Sequence, residues 1–130
     1  MRITEINDFL KSVKPMSLFK NSIANEVTEY KKQLQKKGSS VSININEDSY
    51  INIDAYNIIF LCQLFLNKEM SEYELSYLTD ALLLSSSVYF SNEETKNLFE
   101  LLTDPEINGE FTTERITKLM HSALRLVEIS

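Results

Sequence analysis

Ala55-Tyr56-Asn57-Ile58-Ile59-Phe60-Leu61-Cys62-Gln63-Leu64-Phe65-Leu66 is the stretch on which the architecture turns. It is apolar nearly all round, and a helix with that pattern is buried on most of its faces. Its densest part, Ile58 to Leu66, is nine residues long and contains a Gln, whereas a bilayer span takes about 20 apolar residues. The stretch therefore reads as a core helix.

Immediately upstream the hydrophobic period is two. Val41, Ile43 and Ile45 alternate with Ser42, Asn44 and Asn46, while Ile51 and Ile53 alternate with Asn52 after Tyr50. Asn46-Glu47-Asp48-Ser49 breaks the pattern, which predicts a β-hairpin near residues 40–53 with a polar turn. A lone hairpin is marginal in water, so this one must pack on helices. Closer to the N-terminus, Ile6, Phe9, Leu10 and Val13 form the stripe of a short amphipathic helix that Pro15 stops. Phe19, Ile23, Val27, Tyr30 and Leu34 line one face of a longer helix. Lys31, Lys32, Lys36 and Lys37 crowd its last turns, where cations suit the helix dipole, and Gly38 ends it.

Downstream, the helix starts are marked by capping signals. Ser71 with Glu74 makes a capping box, stapled by Met70 and Leu75. Ser91 with Glu94 predicts a second box, and Thr112 caps the last helix with Phe111 and Ile116 as its staple. Leu98, Phe99 and Leu102 line the helix after the second box, and Ser85-Ser86-Ser87 ends the one before it. Ile116, Leu119, Met120, Ala123, Leu124 and Val127 supply the final stripe. The expected fold class is mainly α (α+β): about six helices in one layered bundle with a single β-hairpin, forming one domain over residues 1–130.

Composition agrees with this class. Of 130 residues, 43% are apolar and 25% charged, the balance of a globular chain that needs no metal or disulfide to hold its core. Two glycines and two prolines are too few for a turn-rich sandwich or a phosphate-cradling glycine loop. A single cysteine, Cys62, cannot close an intrachain disulfide, and Met1 to Asp8 turns acidic where a signal peptide would turn apolar. A cytoplasmic location is expected. The net charge of −6 is unevenly spread: residues 1–37 carry eight basic and four acidic groups, residues 38–130 five basic and fifteen acidic. Such a chain repels phosphate, so neither nucleic acid nor an anionic membrane is an expected partner, whereas a basic protein is.

Catalytic equipment is sparse. The one cysteine lies in the most apolar helix, where a thiol acts as a small hydrophobe. The one histidine, His121, falls off the apolar stripe between Lys118 and Arg125 and reads as a surface residue. Triads, Cys–His pairs and His-based metal sites are thereby disfavoured, and Glu72/Glu74 and Glu93/Glu94 already suit helix N-termini. Asp104-Pro105-Glu106-Ile107-Asn108-Gly109-Glu110-Phe111-Thr112 has the opening of a calcium-binding EF-hand loop. Its twelfth position is Arg115, whose cation would repel calcium, so an acidic helix–helix connector is the better reading. Six Tyr and seven Phe, spread at core spacings, read as packing. The expectation is a protein with no catalytic residues, no metal and no cofactor, monomeric when free.

Tyr73-Glu74-Leu75-Ser76-Tyr77-Leu78-Thr79-Asp80-Ala81-Leu82-Leu83-Leu84, then Val88-Tyr89-Phe90 and Asp104-Pro105-Glu106-Ile107-Asn108-Gly109, resembles small immunity proteins of bacterial contact-dependent growth inhibition systems. The resemblance covers roughly residues 70–112. It implies a non-enzymatic cytoplasmic protein, encoded beside a large secreted toxin, that binds the toxin's C-terminal domain (often a nuclease) and blocks its active site or substrate access. A nuclease that grips phosphates presents a basic cleft, to which carboxylates bring fast, steered and specific association. The candidate toxin contacts are Glu47, Asp48, Glu69, Glu72, Glu93, Glu94, Asp104, Glu106 and Glu110. The other reading is a non-catalytic helical adaptor or phage-type regulatory protein that binds another protein through apolar grooves or its basic segment 11–37.

Overall fold

The computed structural model describes residues 1–12, 14–35, 43, 45–103 and 109–129. In chain order they form α1 (Ile3–Leu10), α2 (Met16–Gln35), β1 (Ile51–Ile53), α3 (Ala55–Leu66), α4 (Glu72–Leu84), β2 (Val88–Phe90), α5 (Glu93–Glu100) and α6 (Thr113–Ile129). The chain is mainly α with a small β element, six helices among the described residues. The expectations for Val13, Lys36, Lys37, Gly38, Val41, Ser42, Asn44 and the 104–108 connector lie outside the described residues.

α3 is a core helix, as its composition demands. Ile58, Leu61 and Cys62 are fully buried, and the helix packs along α6, whose Ile116, Leu119 and Ala123 face inward. Its start is fixed by a reciprocal cap. Asp54 accepts from the Asn57 backbone N–H at 3.0 Å, and Asn57 Oδ1 accepts from the Asp54 N–H at 2.9 Å. The Ser71/Glu74 box forms at the head of α4, with both bonds made at 2.9 and 3.1 Å. Met70 and Leu75 beside it are buried. At the head of α6 the Thr112 hydroxyl accepts from the Arg115 N–H at 3.1 Å, and Phe111 and Ile116 are buried. Phe9 stacks on Phe19 with ring centroids 4.3 Å apart and also meets Phe60, so the same cluster joins α1 and α2 to α3.

Two expectations require correction. The second box does not use Ser91 and Glu94: the cap of α5 is Asn92, whose side chain accepts from the Thr95 N–H at 2.7 Å. Ser91 is still part of the sheet, since its N–H donates to the Ile53 carbonyl at 3.0 Å and its hydroxyl accepts from Asn52 Nδ2 at 2.9 Å. The helix therefore begins one residue later.

The β-hairpin near residues 40–53 is likewise replaced. Ile43 and Ile45 carry no strand, and β1 pairs in parallel with β2, Ile51 opposite Val88, Asn52 opposite Tyr89 and Ile53 opposite Phe90. The physical reason is that residue 46 is engaged elsewhere. Asn46 donates to the Met1 carbonyl at 2.7 Å and accepts from the Ile3 N–H at 3.0 Å, which fastens this arm to the head of α1. β1 then takes its partner from beyond α3 and α4, as a parallel pair requires a crossover. Ile51 and Ile53 are buried by this arrangement, and Asn52 faces out.

Polar bonds tie the layers together. Thr79, fully buried in α4, donates to the Leu102 carbonyl at 2.6 Å, just past the end of α5. Tyr30 in α2 donates to Asp80 at 2.6 Å, and Tyr77 donates to Glu26 at 2.7 Å, so α2 and α4 are locked in register. The Met1 ammonium meets the same Glu26 oxygen at 3.1 Å.

Candidate functional site

The nominated carboxylates divide by what already holds them. Glu47 is committed within the chain: its carboxylate accepts from the Ser85 hydroxyl and from the Ser86 and Ser87 N–H groups, the latter two at 2.7 and 3.2 Å. These bonds, the Ser85 hydroxyl first, lower its pKa. Asp48 accepts from the Thr4 N–H at 3.0 Å, an N-terminal cap for α1 that also lowers its pKa. Asp48 thus does for α1 what Arg2, at the cap position, cannot do with its own side chain. Both residues of the expected hairpin turn are fasteners of the fold.

Glu69, Glu93, Glu94 and Glu110 are different. All four are exposed, and no cation among the described residues pairs with them. Glu93 and Glu94 stand in the first turn of α5, where the helix dipole favours them. Glu69 lies in the turn between α3 and α4, with its backbone carbonyl taken by Lys20 at 2.9 Å. Glu72 and Glu110 are brought together. Partial burial of Glu72 raises its pKa, the negative charge of Glu110 raises it further, and nearby Arg115 opposes both. Asp104 and Glu106 lie outside the described residues.

Arg115, at the position where a calcium loop would need a glutamate, serves the backbone instead. Its guanidinium donates to the Leu101 carbonyl and, at 2.9 Å, to the Gly109 carbonyl, and it lies over the Phe111 ring. It thereby joins the end of α5 to the approach to α6. Beside it, between α5 and α6, runs an open groove of ≈ 430 Å³ floored by Leu98, Leu101 and Leu119. Its charged rim is already engaged internally, since Lys118 pairs with Glu114 at 3.3 Å and Arg115 holds carbonyls.

Sequence reasoning missed a group of aromatic residues. Tyr30 and Tyr77 are core, as expected, but Tyr50, Tyr56 and Tyr89 are 70%, 64% and 55% exposed. Tyr50 and Tyr89 meet with ring centroids 6.1 Å apart on the outer face of the two-stranded sheet, beside exposed Asn52 and Ser91. The signal was present in the alternation. Tyr50 shares the phase of Asn52, not of Ile51 and Ile53, and Tyr89 is flanked by the inward pair Val88 and Phe90.

As for chemistry, Cys62 is fully buried and burial pushes its thiol up to about 12, which makes it a poor nucleophile. His121 is exposed on α6. Among the described residues no cluster of three or more His, Cys, Asp or Glu side chains is placed to hold a metal, and no helix is long and apolar enough to cross a membrane. Neither a family model, nor a curated protein, nor a solved structure matches the chain.

Proposed function

We propose that this chain is a cytoplasmic immunity protein that neutralises a cognate secreted toxin by stoichiometric binding to its C-terminal domain, a basic nuclease. The observation that carries the reading is the set of exposed carboxylates left without an internal cation, Glu69, Glu93, Glu94 and Glu110, at the ends of α3, α4 and α5 and before α6. A carboxylate that stabilises no neighbour is available to a cationic surface. Several of them on one molecule raise the encounter rate and reject partners of the wrong charge. The resemblance over residues 70–112 supports the same reading.

Inhibition on this reading needs no chemistry from the chain. Its helical core presents carboxylates in a fixed array, and occupancy of the nuclease's phosphate-binding cleft excludes the substrate. Co-expression with the toxin domain encoded beside it tests the proposal. Growth is expected to be restored, with both chains co-purifying in equal amounts; unrelieved toxicity with no complex would refute it.

A further inference from the structure

The outer face of the β1–β2 pair has an unusual make-up for the surface of a helical domain. It presents Tyr50 and Tyr89, in contact at a centroid separation of 6.1 Å, with Asn52 and Ser91 joined by a 2.9 Å hydrogen bond between them. All four are exposed, while the other face of the same strands, Ile51, Ile53, Val88 and Phe90, belongs to the core or packs against it. Tyrosine with Ser and Asn is the composition of protein-binding surfaces: a rigid aromatic contributes contact area at low entropy cost, and short polar groups adapt their hydrogen bonds around it. The strands are short, and just past its C-terminal end each runs into a capped helix, β1 into α3 at Asp54 and β2 into α5 at Asn92. The tyrosines are thus held on a rigid platform and not on a free loop.

The charge around this face selects the occupant. Residues 38–130, which supply both strands and α5, carry five basic groups against fifteen acidic ones. Glu93 and Glu94 stand in the first turn of α5, past Ser91 and Asn92 from the end of β2, and have no cation paired with them among the described residues. A second copy of this chain would bring the same carboxylates against each other, whereas a cationic protein surface is complementary.

Resting on the immunity reading above, we infer that the outer sheet face is where the toxin domain docks, with Tyr50 and Tyr89 as the buried anchors and Glu93 and Glu94 as the rim that steers its Lys and Arg side chains. Glu47 and Asp48, committed to Ser85–Ser87 and to Thr4, take no part in the contact.

The test measures binding of the purified chain to the toxin domain encoded beside it, with variants Tyr89→Ser, Tyr50→Ser and Glu93→Gln/Glu94→Gln, and Glu128→Gln, an exposed α6 residue outside the nominated set, as the control. Because the tyrosines are exposed, the variants should keep the wild-type melting curve. Each tyrosine change is expected to weaken binding about 30-fold, the size of an interface hot spot. The double Gln variant should slow association about tenfold at low salt, a difference that closes as salt rises. If the wild type binds but both tyrosine variants stay within about threefold of it, the docking face is wrong while the immunity reading stands. If the wild type does not bind, both fall together. Sedimentation of the free protein as a dimer that Tyr89→Ser dissolves would also overturn the inference, by giving the face to a second copy.

Discussion

Glu5 lies between Lys14 and Arg2, each nitrogen 2.8 Å from one of its oxygens. The hydrogen bond from Lys14 first, and that from Arg2 second, hold its carboxyl at about 2, well below the ordinary 4.5. A carboxyl so depressed contributes its stability in full above the unfolded value and loses it as pH falls from there through the folded one. Glu5→Gln should therefore cost about 1–2 kcal/mol at pH 7, and the two melting curves should converge as pH drops from about 4.5 towards 2. A gap that stays constant over that range would contradict the ion-pair account. The contrast with Glu93 and Glu94 is the main functional point at this scale. Residue type did not distinguish the two kinds of acid, because a committed and a free glutamate are written with the same letter. Glu47 and Asp48 became fasteners only through partners about 40 residues away in sequence, Ser85–Ser87 and Thr4.

At the level of elements, local signals were read well and long-range pairing was not. The Ser71/Glu74 box and the Thr112 cap involve residues three apart and formed as their spacing predicts. The start of α5 was misplaced by one residue because Ser91 and Asn92 are both good caps, and the choice fell to the sheet, which claims the Ser91 N–H for Ile53. Removing Asn92 with Ala should accordingly cost about 1 kcal/mol of stability, the usual worth of an N-cap. Ser91→Ala, which forfeits only an exposed bond to Asn52, should cost less than half as much. Thermal melts of the two variants decide this, and equal losses would restore Ser91 as the cap. The hairpin failed for a related reason. Alternation identifies a strand and its buried face but not its partner, and Val88-Tyr89-Phe90 is too short to announce itself as that partner. The same alternation, followed one residue further to Tyr50, marks the exposed aromatic face.

For the whole molecule, what was legible is the class: a mainly helical chain with its acidic charge concentrated after residue 37. Less legible was which surface is free to bind, because that depends on how the fold spends its own polar groups. Glu47, Asp48, Arg115 and Glu74 are used internally, while Glu69, Glu93, Glu94 and Glu110 have no cation paired with them among the described residues. The resulting picture is of a mainly helical core that exposes four carboxylates and two tyrosines, the groups that the proposal above assigns to a basic partner.

The most direct measurement is a titration of the purified chain into the purified toxin domain encoded beside it, with nuclease activity followed in the same samples at low and moderate salt. The account predicts that activity disappears at one equivalent, with association slowing as ionic strength rises. Full nuclease activity at a large excess of the chain would contradict it.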